Sequence, residues 1–306
     1  FKYAPPTGFL ALCEDNLPAP AIADPGEHFK TVLYTGSSVS GSEKSRSVSG
    51  LGFKPDLVWL KSRGIIQNHQ LYDSVRGFGG GKGLSADENR VEGDIGGFSD
   101  TDYGFVSSAD DNGFGVISTH STGTWVNNTG VNYVAWCWKA GGAAVSNTDG
   151  SVTSQVSVNQ TAGFSIVSYT GTGAAISVGH GLEKAPAFII SKNRSIDQNW
   201  PIYHQSTSNI GTSAQDVVYL NLTIVGNSDN FVSVNDTTFS TTTWNGVSGN
   251  GNEHIAYCWS EIEGYSKFGS YVGNGDDDGP FVYCGFKPAF VLVKPSSYTS
   301  NWVILD

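Results

Sequence analysis

The chain repeats itself, and a repeat restricts the fold to what one unit can build and its copies can share. An opening apolar run occurs as Phe29-Lys30-Thr31-Val32-Leu33-Tyr34-Thr35-Gly36, as Phe164-Ser165-Ile166-Val167-Ser168-Tyr169-Thr170-Gly171, and as Phe268-Gly269-Ser270-Tyr271-Val272-Gly273. A second run, led by proline, follows as Lys54-Pro55-Asp56-Leu57-Val58-Trp59-Leu60-Lys61, then Ala185-Pro186-Ala187-Phe188-Ile189-Ile190-Ser191-Lys192, then Lys287-Pro288-Ala289-Phe290-Val291-Leu292-Val293-Lys294. Proline at the head of a strand removes no ladder hydrogen bond. A third run reads Asn68-His69-Gln70-Leu71-Tyr72-Asp73, Asn199-Trp200-Pro201-Ile202-Tyr203-His204 and Asn301-Trp302-Val303-Ile304-Leu305-Asp306. Two copies therefore run to a closing strand, and the third reaches its third strand at Asp306.

The closing strand is Tyr133-Val134-Ala135-Trp136-Cys137-Trp138 in copy one and His254-Ile255-Ala256-Tyr257-Cys258-Trp259 in copy two. It is apolar on both faces, as a central strand is when the second face of its sheet is also covered. Cys137 and Cys258 are expected to be buried there as small hydrophobes. Glycine, asparagine, aspartate and serine clusters separate the runs, and no 3.6-residue apolar stripe of useful length occurs. This spacing predicts an all-β chain of tandem β-sandwich modules, jelly-roll or concanavalin A-like. The expected divisions are 1–27, the end of a preceding β-sandwich domain with its linker; 28–145, repeat one; 146–263, repeat two; and 264–306, a truncated repeat three. Residues 140–150 read as a linker by composition, and the short junction at 261–265 places copies two and three close together.

Composition excludes several classes. Charged residues are 15% of 306 and the formal charge is −11, with no Lys/Arg cluster, so nucleic acid is not an expected partner. No apolar run approaches the ~20 residues of a membrane span, and the N-terminus has no signal-peptide pattern. There is no Met, and the opening residues read as the interior of a longer protein. The cysteines Cys13, Cys137, Cys258 and Cys284 have neither disulfide-framework nor C-x-x-C spacing.

Motifs for chemistry are sparse. The run Gly77-Phe78-Gly79-Gly80-Gly81-Lys82-Gly83 fails the phosphate-loop pattern at Arg76 and Gly83, and reads as a flexible loop. Hydrolase elbows and H-E-x-x-H are absent, and the histidines are scattered singly. Asp73, His204 and Asp306 occupy one repeat position with different chemistry, which argues for a polar strand end. Asp110-Asp111-Asn112-Gly113 reads as an Asx turn. Asp276, Asp277 and Asp278 form an acid run particular to copy three, a weak calcium candidate without the spacing of a known calcium loop. The best binding candidates are aromatic. Trp125 with Asn127, and Trp244 with Asn245, offer a ring for a sugar face beside amides for its hydroxyls, although burial in a core explains a recurring tryptophan equally well. No cofactor is expected.

Several longer segments resemble a known family. The runs "GLGFKPDLVWLKSR", "YDSVRG", "YVAWCWKAGG", "GFSIVSYTGTG" and "EIEGYSKFGSYVGNGDDDGPFVYCGFKPAFVLVK" together resemble a repeat module of marine phage virion proteins, especially those of cyanophages, over Phe29–Asp306. Lys2–Pro18 looks like the closing strands of a SPRY-type concanavalin A-like sandwich. The resemblance implies a tail fibre or surface fibre, located on the extracellular virion. Its partners would be other virion proteins, further copies in a homo-oligomer, with a trimer expected, and host surface glycan. It carries no catalytic residues over, so the chain is not expected to be an enzyme. The alternatives are a glycan depolymerase using carboxylates such as Asp276 or Asp110, and a bacterial adhesin.

Overall fold

The computed structural model describes residues 20–37, 44–118, 125–206, 217–226 and 230–306. The SPRY-like segment, Cys13 and His120 lie outside these residues. After a 3-10 turn at Pro25–Glu27, capped by the Asp24 carboxylate on the Gly26 amide (2.8 Å), the first copy runs β1 (Phe29–Thr35), β2 (Lys44–Ser49), β3 (Leu57–Ser62), β4 (Gln70–Asp73), β5 (Leu84–Ser85), β6 (Asp94–Ile95) and β7 (Phe98–Ser99). The helical turn α1 (Asp100–Tyr103) follows, then β8 (Phe105–Asp110), β9 (Gly113–Ser118) and β10 (Asn132–Trp138). The second comprises β11 (Val145–Asn147), β12 (Ser154–Asn159), β13 (Phe164–Thr170), β14 (Ser177–Gly179), β15 (Phe188–Asn193), β16 (Pro201–His204), β17 (Val217–Tyr219), β18 (Val225–Gly226), β19 (Phe231–Val234) and β20 (Thr238–Thr241). Helical turn α2 (Asn245–Ser248) and β21 (Glu253–Trp259) close it. The third contributes β22 (Val291–Val293) and β23 (Val303–Leu305).

The chain is all-β, built of antiparallel sheets. One large sheet has the order β1-β10-β3-β4-β5, and the other contains β13-β21-β15-β16-β17 within eight strands, so equivalent runs take equivalent places. Register agrees as well: Trp59 faces Leu71, Ile190 faces Ile202 and Leu292 faces Ile304, each partner twelve positions on. Each large sheet is faced by a smaller one, β2-β9-β8 in the first half and β14-β20-β19 in the second.

Alternation along the central strands explains the layering. On β3 and β10, Val58, Leu60, Tyr133, Ala135 and Cys137 point into the core shared with the smaller sheet. Their neighbours Leu57, Trp59, Val134, Trp136 and Trp138 point the other way, into a second core. That second core is closed by Phe164, Ile166, Phe188, Ile190, Ile255 and Tyr257 of the other large sheet, whose remaining apolar face packs on its own small sheet. The result is four layers with a shared central core. Each large sheet covers the other's second face, which is why both closing strands are apolar throughout. Phe290, Leu292, Trp302 and Ile304 of the third copy pack at the margin of the same core.

Residues 140–150 depart from the expected linker. Ala140 is buried, and its amide donates to the Asp56 carboxylate at 2.7 Å. Gly141 lies against β12 so closely that a Cβ would meet the Val158 carbonyl oxygen at 2.4 Å. Val145–Asn147 pairs with β12 as β11. Small residues were needed for close approach rather than for flexibility. Cys137 and Cys258 are fully buried, and burial pushes both thiols up, which suits packing and not nucleophilic chemistry.

One histidine gives this core an acid limb. His69 stacks on Trp136 (centroids 6.3 Å), and its Nδ1 accepts the Trp59 indole N–H at 2.9 Å. Burial, with Lys61 nearby, lowers its pKa to about 4 from 6.5. The unfolded chain therefore takes up this proton first as pH falls. The contribution is complete above pH 6.5 and is lost between there and about 4. By linkage, His69→Gln should remove about 2 kcal/mol of the stability difference between pH 7 and pH 5, read from urea unfolding at both. Equal pH dependence in variant and parent would refute the assignment. His254, held to about 4 chiefly by burial, keeps its own acid limb in both proteins.

Candidate functional site

The expected aromatic candidates lie in two different settings. Trp125 is half-buried against the first copy's sandwich core. Its ring stacks on Tyr103, with centroids 4.8 Å apart and planes 13° from parallel. Phe98 stands edge-on to both, 5.3 Å from Tyr103 and 6.2 Å from Trp125, and is 54% exposed. The three rings form a surface platform.

Local chemistry builds it. Gly96 and Gly97, at φ +65° and +85°, make the tight turn between β6 and β7 that sets Phe98 opposite Ile95. Ser99 then caps α1 by accepting the Thr101 amide at 3.3 Å, which sets Tyr103 one turn on. The Trp125 amide donates to the Tyr103 carbonyl at 3.2 Å, fixing the pair in backbone as well as in ring contact. Phe98 and Tyr103 come from a hairpin and a helical turn more than twenty residues before Trp125, so no local sequence pattern joined them to it.

Asn127 is fully buried, with its Oδ1 accepting the Ser37 amide at 2.9 Å. Its Nδ2 has no hydrogen-bond partner among the described residues. Asn127 therefore positions the turn beneath Trp125 and offers no exposed amide to a ligand.

Trp244 is different. It caps α2 through its carbonyl, which accepts the Val247 and Ser248 amides at 3.0 and 2.8 Å. The ring folds back over Gly246, where a Cβ would lie 1.9 Å from it, and stands edge-on to Tyr219. Asn245 is exposed, and its carbonyl accepts the Asn193 side-chain Nδ2–H at 2.6 Å. The two pairs do not occupy equivalent repeat positions. Tyr34 donates its hydroxyl to the Val126 carbonyl (2.6 Å), and the equivalent Tyr169 donates to that of Val247 (2.8 Å). Val126 thus corresponds to Val247, and Asn127 to Ser248 rather than Asn245. The two tryptophans therefore stand two positions apart in the repeat, Trp125 one residue before the valine and Trp244 three before it.

The acid run sits at an exposed turn. Asn274 Oδ1 accepts the Asp276 amide (3.2 Å), Asp276 Oδ1 accepts that of Asp278 (3.1 Å), and Asn274 Nδ2 reaches the Asp278 carbonyl (2.8 Å). Asp276, Asp277 and Asp278 are all exposed. Among the described residues, no three His, Cys, Asp or Glu side chains are grouped to hold a metal ion. Asp110 accepts the Asn112 amide at 2.9 Å, the Asx turn expected there.

Two features were not legible as sites in the sequence. The glycine-rich loop is not free: the Gly81 and Gly83 amides donate to the buried Asp100 carboxylate at 2.6 and 2.7 Å. It is an anion cradle filled by the chain's own acid, whose pKa burial raises against the opposing pull of those amides. Asp73 is no simple polar strand end. Its Oδ2 accepts Arg76 Nε at 2.5 Å and the Tyr257 hydroxyl at 2.7 Å, tying copy one to copy two. Arg76 continues to Glu92 (2.9 Å), and Glu92 to Arg194 (2.6 Å).

No helix of the described residues is long and apolar enough to cross a membrane. A family model described as a domain of unknown function (DUF7483) matches residues 24–306. No curated protein and no solved structure matches the chain.

Proposed function

We propose, for a chain that belongs to this DUF7483 family, that it is a structural element of a phage fibre which reads host surface glycan at the Phe98–Tyr103–Trp125 platform. The observation that carries the glycan reading is the platform itself. Three aromatic rings, two of them stacked, meet at the edge of the sandwich core, with Phe98 exposed, Tyr103 and Trp125 part-exposed, and the Tyr103–Trp125 pair tied by a backbone hydrogen bond. A rigid, part-exposed stack presents an apolar face of the size of a sugar ring at little cost in side-chain entropy. The virion reading rests on the resemblance of the repeat runs to marine phage modules. A layered, mutually covered β-structure suits a part that must hold its shape, and many copies on one particle would strengthen a shallow site by avidity.

Retention on immobilised cyanobacterial surface polysaccharide tests the glycan reading. Trp125→Ala should weaken retention about tenfold, since loss of a stacking ring removes ~1–2 kcal/mol, and Phe98→Ala should weaken it less. Trp244→Ala should leave retention unchanged in protein that remains folded by circular dichroism. Indifference to Trp125→Ala would overturn the site. Mass spectrometry and immunogold labelling of purified cyanophage particles test the rest, and particles without the chain would overturn the fibre assignment.

A further inference from the structure

Copy two is seated on copy one by bonds that recur, position for position, where copy three is seated on copy two. The Trp200 indole donates to the Ser85 carbonyl at 2.9 Å, and the equivalent Trp302 indole donates to the Tyr219 carbonyl at 2.9 Å. Ser85 and Tyr219 are themselves equivalent, since Gln70 faces the one and Pro201 the other. Further along copy one, the Asn89 carbonyl accepts Lys192 Nζ (3.1 Å) and the Gln198 amide (2.8 Å). At the same place in copy two, the Thr223 carbonyl accepts Lys294 Nζ (3.0 Å) and the Ser300 amide (2.9 Å). Ammonium and indole groups carry donors alone, so carbonyls are the partners that suit them.

Copy one is seated on copy three in the same sense. The Tyr257 hydroxyl of copy two donates to Asp73 Oδ2 of copy one at 2.7 Å. At the same two repeat positions, the Trp136 indole of copy one donates to Asp306 Oδ2 of copy three at 3.0 Å. Ring contacts run the same way. Phe268, which opens copy three, stacks on Phe188 of copy two with centroids 5.7 Å apart, and Phe29, which opens copy one, meets Phe290 of copy three at 5.5 Å. Phe164 of copy two and Leu57 of copy one hold the corresponding positions in the shared core.

A head-to-tail interface either propagates as an open array or closes on itself, according to its rotation. In an open array copy three would touch copy two alone. We propose that the three repeats form a closed ring, two on one, three on two and one on three, so that a single chain builds a threefold-like unit around its aromatic core. The partner of each of these surfaces is the next repeat of the same chain. The seats at Ser85 and Asn89, at Tyr219 and Thr223, and at Asp73 and Asp306 are filled from within the chain, which closes them to a second one. The protein therefore works as a monomer, a trimer of repeats in place of the expected trimer of chains.

Two measurements on the whole chain test the ring. Lys294→Ala with Trp302→Ala removes bonds between copies three and two only. In a ring this also loosens Asp306 from Trp136, and exchange of the Trp136 indole proton, followed by nuclear magnetic resonance, should accelerate about tenfold or more. Asp306→Ala should accelerate it as well while the Trp302 indole proton stays slow, and the amides of β9, in copy one's smaller sheet, should be unchanged in both variants. Native mass spectrometry should find one chain per particle. A Trp136 indole proton that exchanges at the parent rate in either variant would show the ring open. A particle of two or three chains would show the seats filled between chains, and each of these results overturns the proposal.

Discussion

Trp200→Ala will destabilise the protein by about 3–5 kcal/mol and lower its unfolding temperature by about 10 °C. Trp200 is fully buried in the core between the two large sheets. Its indole N–H is shared by the Ser85 and Glu88 carbonyls of the other copy, both at 2.9 Å. Alanine would leave a large cavity and the two carbonyls, that of Ser85 buried, with one donor fewer. Phe at this position keeps most of the ring and should cost about 1–2 kcal/mol, chiefly for the lost hydrogen bond. Lys192, whose ammonium lies 5.8 Å from the ring and whose pKa burial lowers to about 7, would lose its aromatic neighbour in the alanine variant alone.

Location matters as much as size. The two sandwich cores contain no part of Trp200, so β-sheet circular dichroism should persist at low temperature. Hydrogen exchange at 85–92 should accelerate before exchange in β9 or β20 does. Loss of less than about 1 kcal/mol in urea unfolding, or uniform acceleration, would show that the halves do not depend on this core.

Much of this architecture was readable in the chain. Recurring apolar runs set off by Gly, Asn, Asp and Ser clusters placed the strands, and the double-sided apolar character of the Tyr133–Trp138 and His254–Trp259 runs required a second covered face. Sequence could not say what covers it, because contact between Trp138 and Trp259 (6.0 Å) is set by the stacking of whole sheets. Composition misled at two places. The glycines of 77–83 look flexible, yet serve close approach of amides to Asp100. Within 140–150, Gly141 admits the Val158 carbonyl and Gly150 that of Ser177. At the aromatic platform only Trp125 was legible, since Phe98 and Tyr103 reach it through a hairpin and a helical turn.

The "YDSVRG" run illustrates the same limit, and its removal is the second large effect. Arg76→Ala should cost about 3–5 kcal/mol, the range for breaking a buried ion pair from one side. Both side chains of the Arg76–Asp73 pair are fully buried, and the guanidinium also serves Glu92 at 2.9 Å and the Leu71 carbonyl at 3.2 Å. Without it, Asp73 would keep the Tyr257 hydroxyl as its side-chain partner but no counter-charge. Arg194→Ala should cost less, about 1–2 kcal/mol, because Glu92 would keep Arg76 as its counter-charge and the other partner, Glu253, is largely exposed. A charge pair removed together need not repeat the loss. Asp73→Asn with Arg76→Gln should recover at least about half of it, because neutral amides replace an unpaired carboxylate. Buried pairs are poorly screened, so the Arg76→Ala cost should be nearly the same at low salt and at ~0.5 M salt. A cost that halves with salt, or a double variant no better than Arg76→Ala, would show that the network is solvated and that tertiary coupling between the copies rests on the apolar core alone.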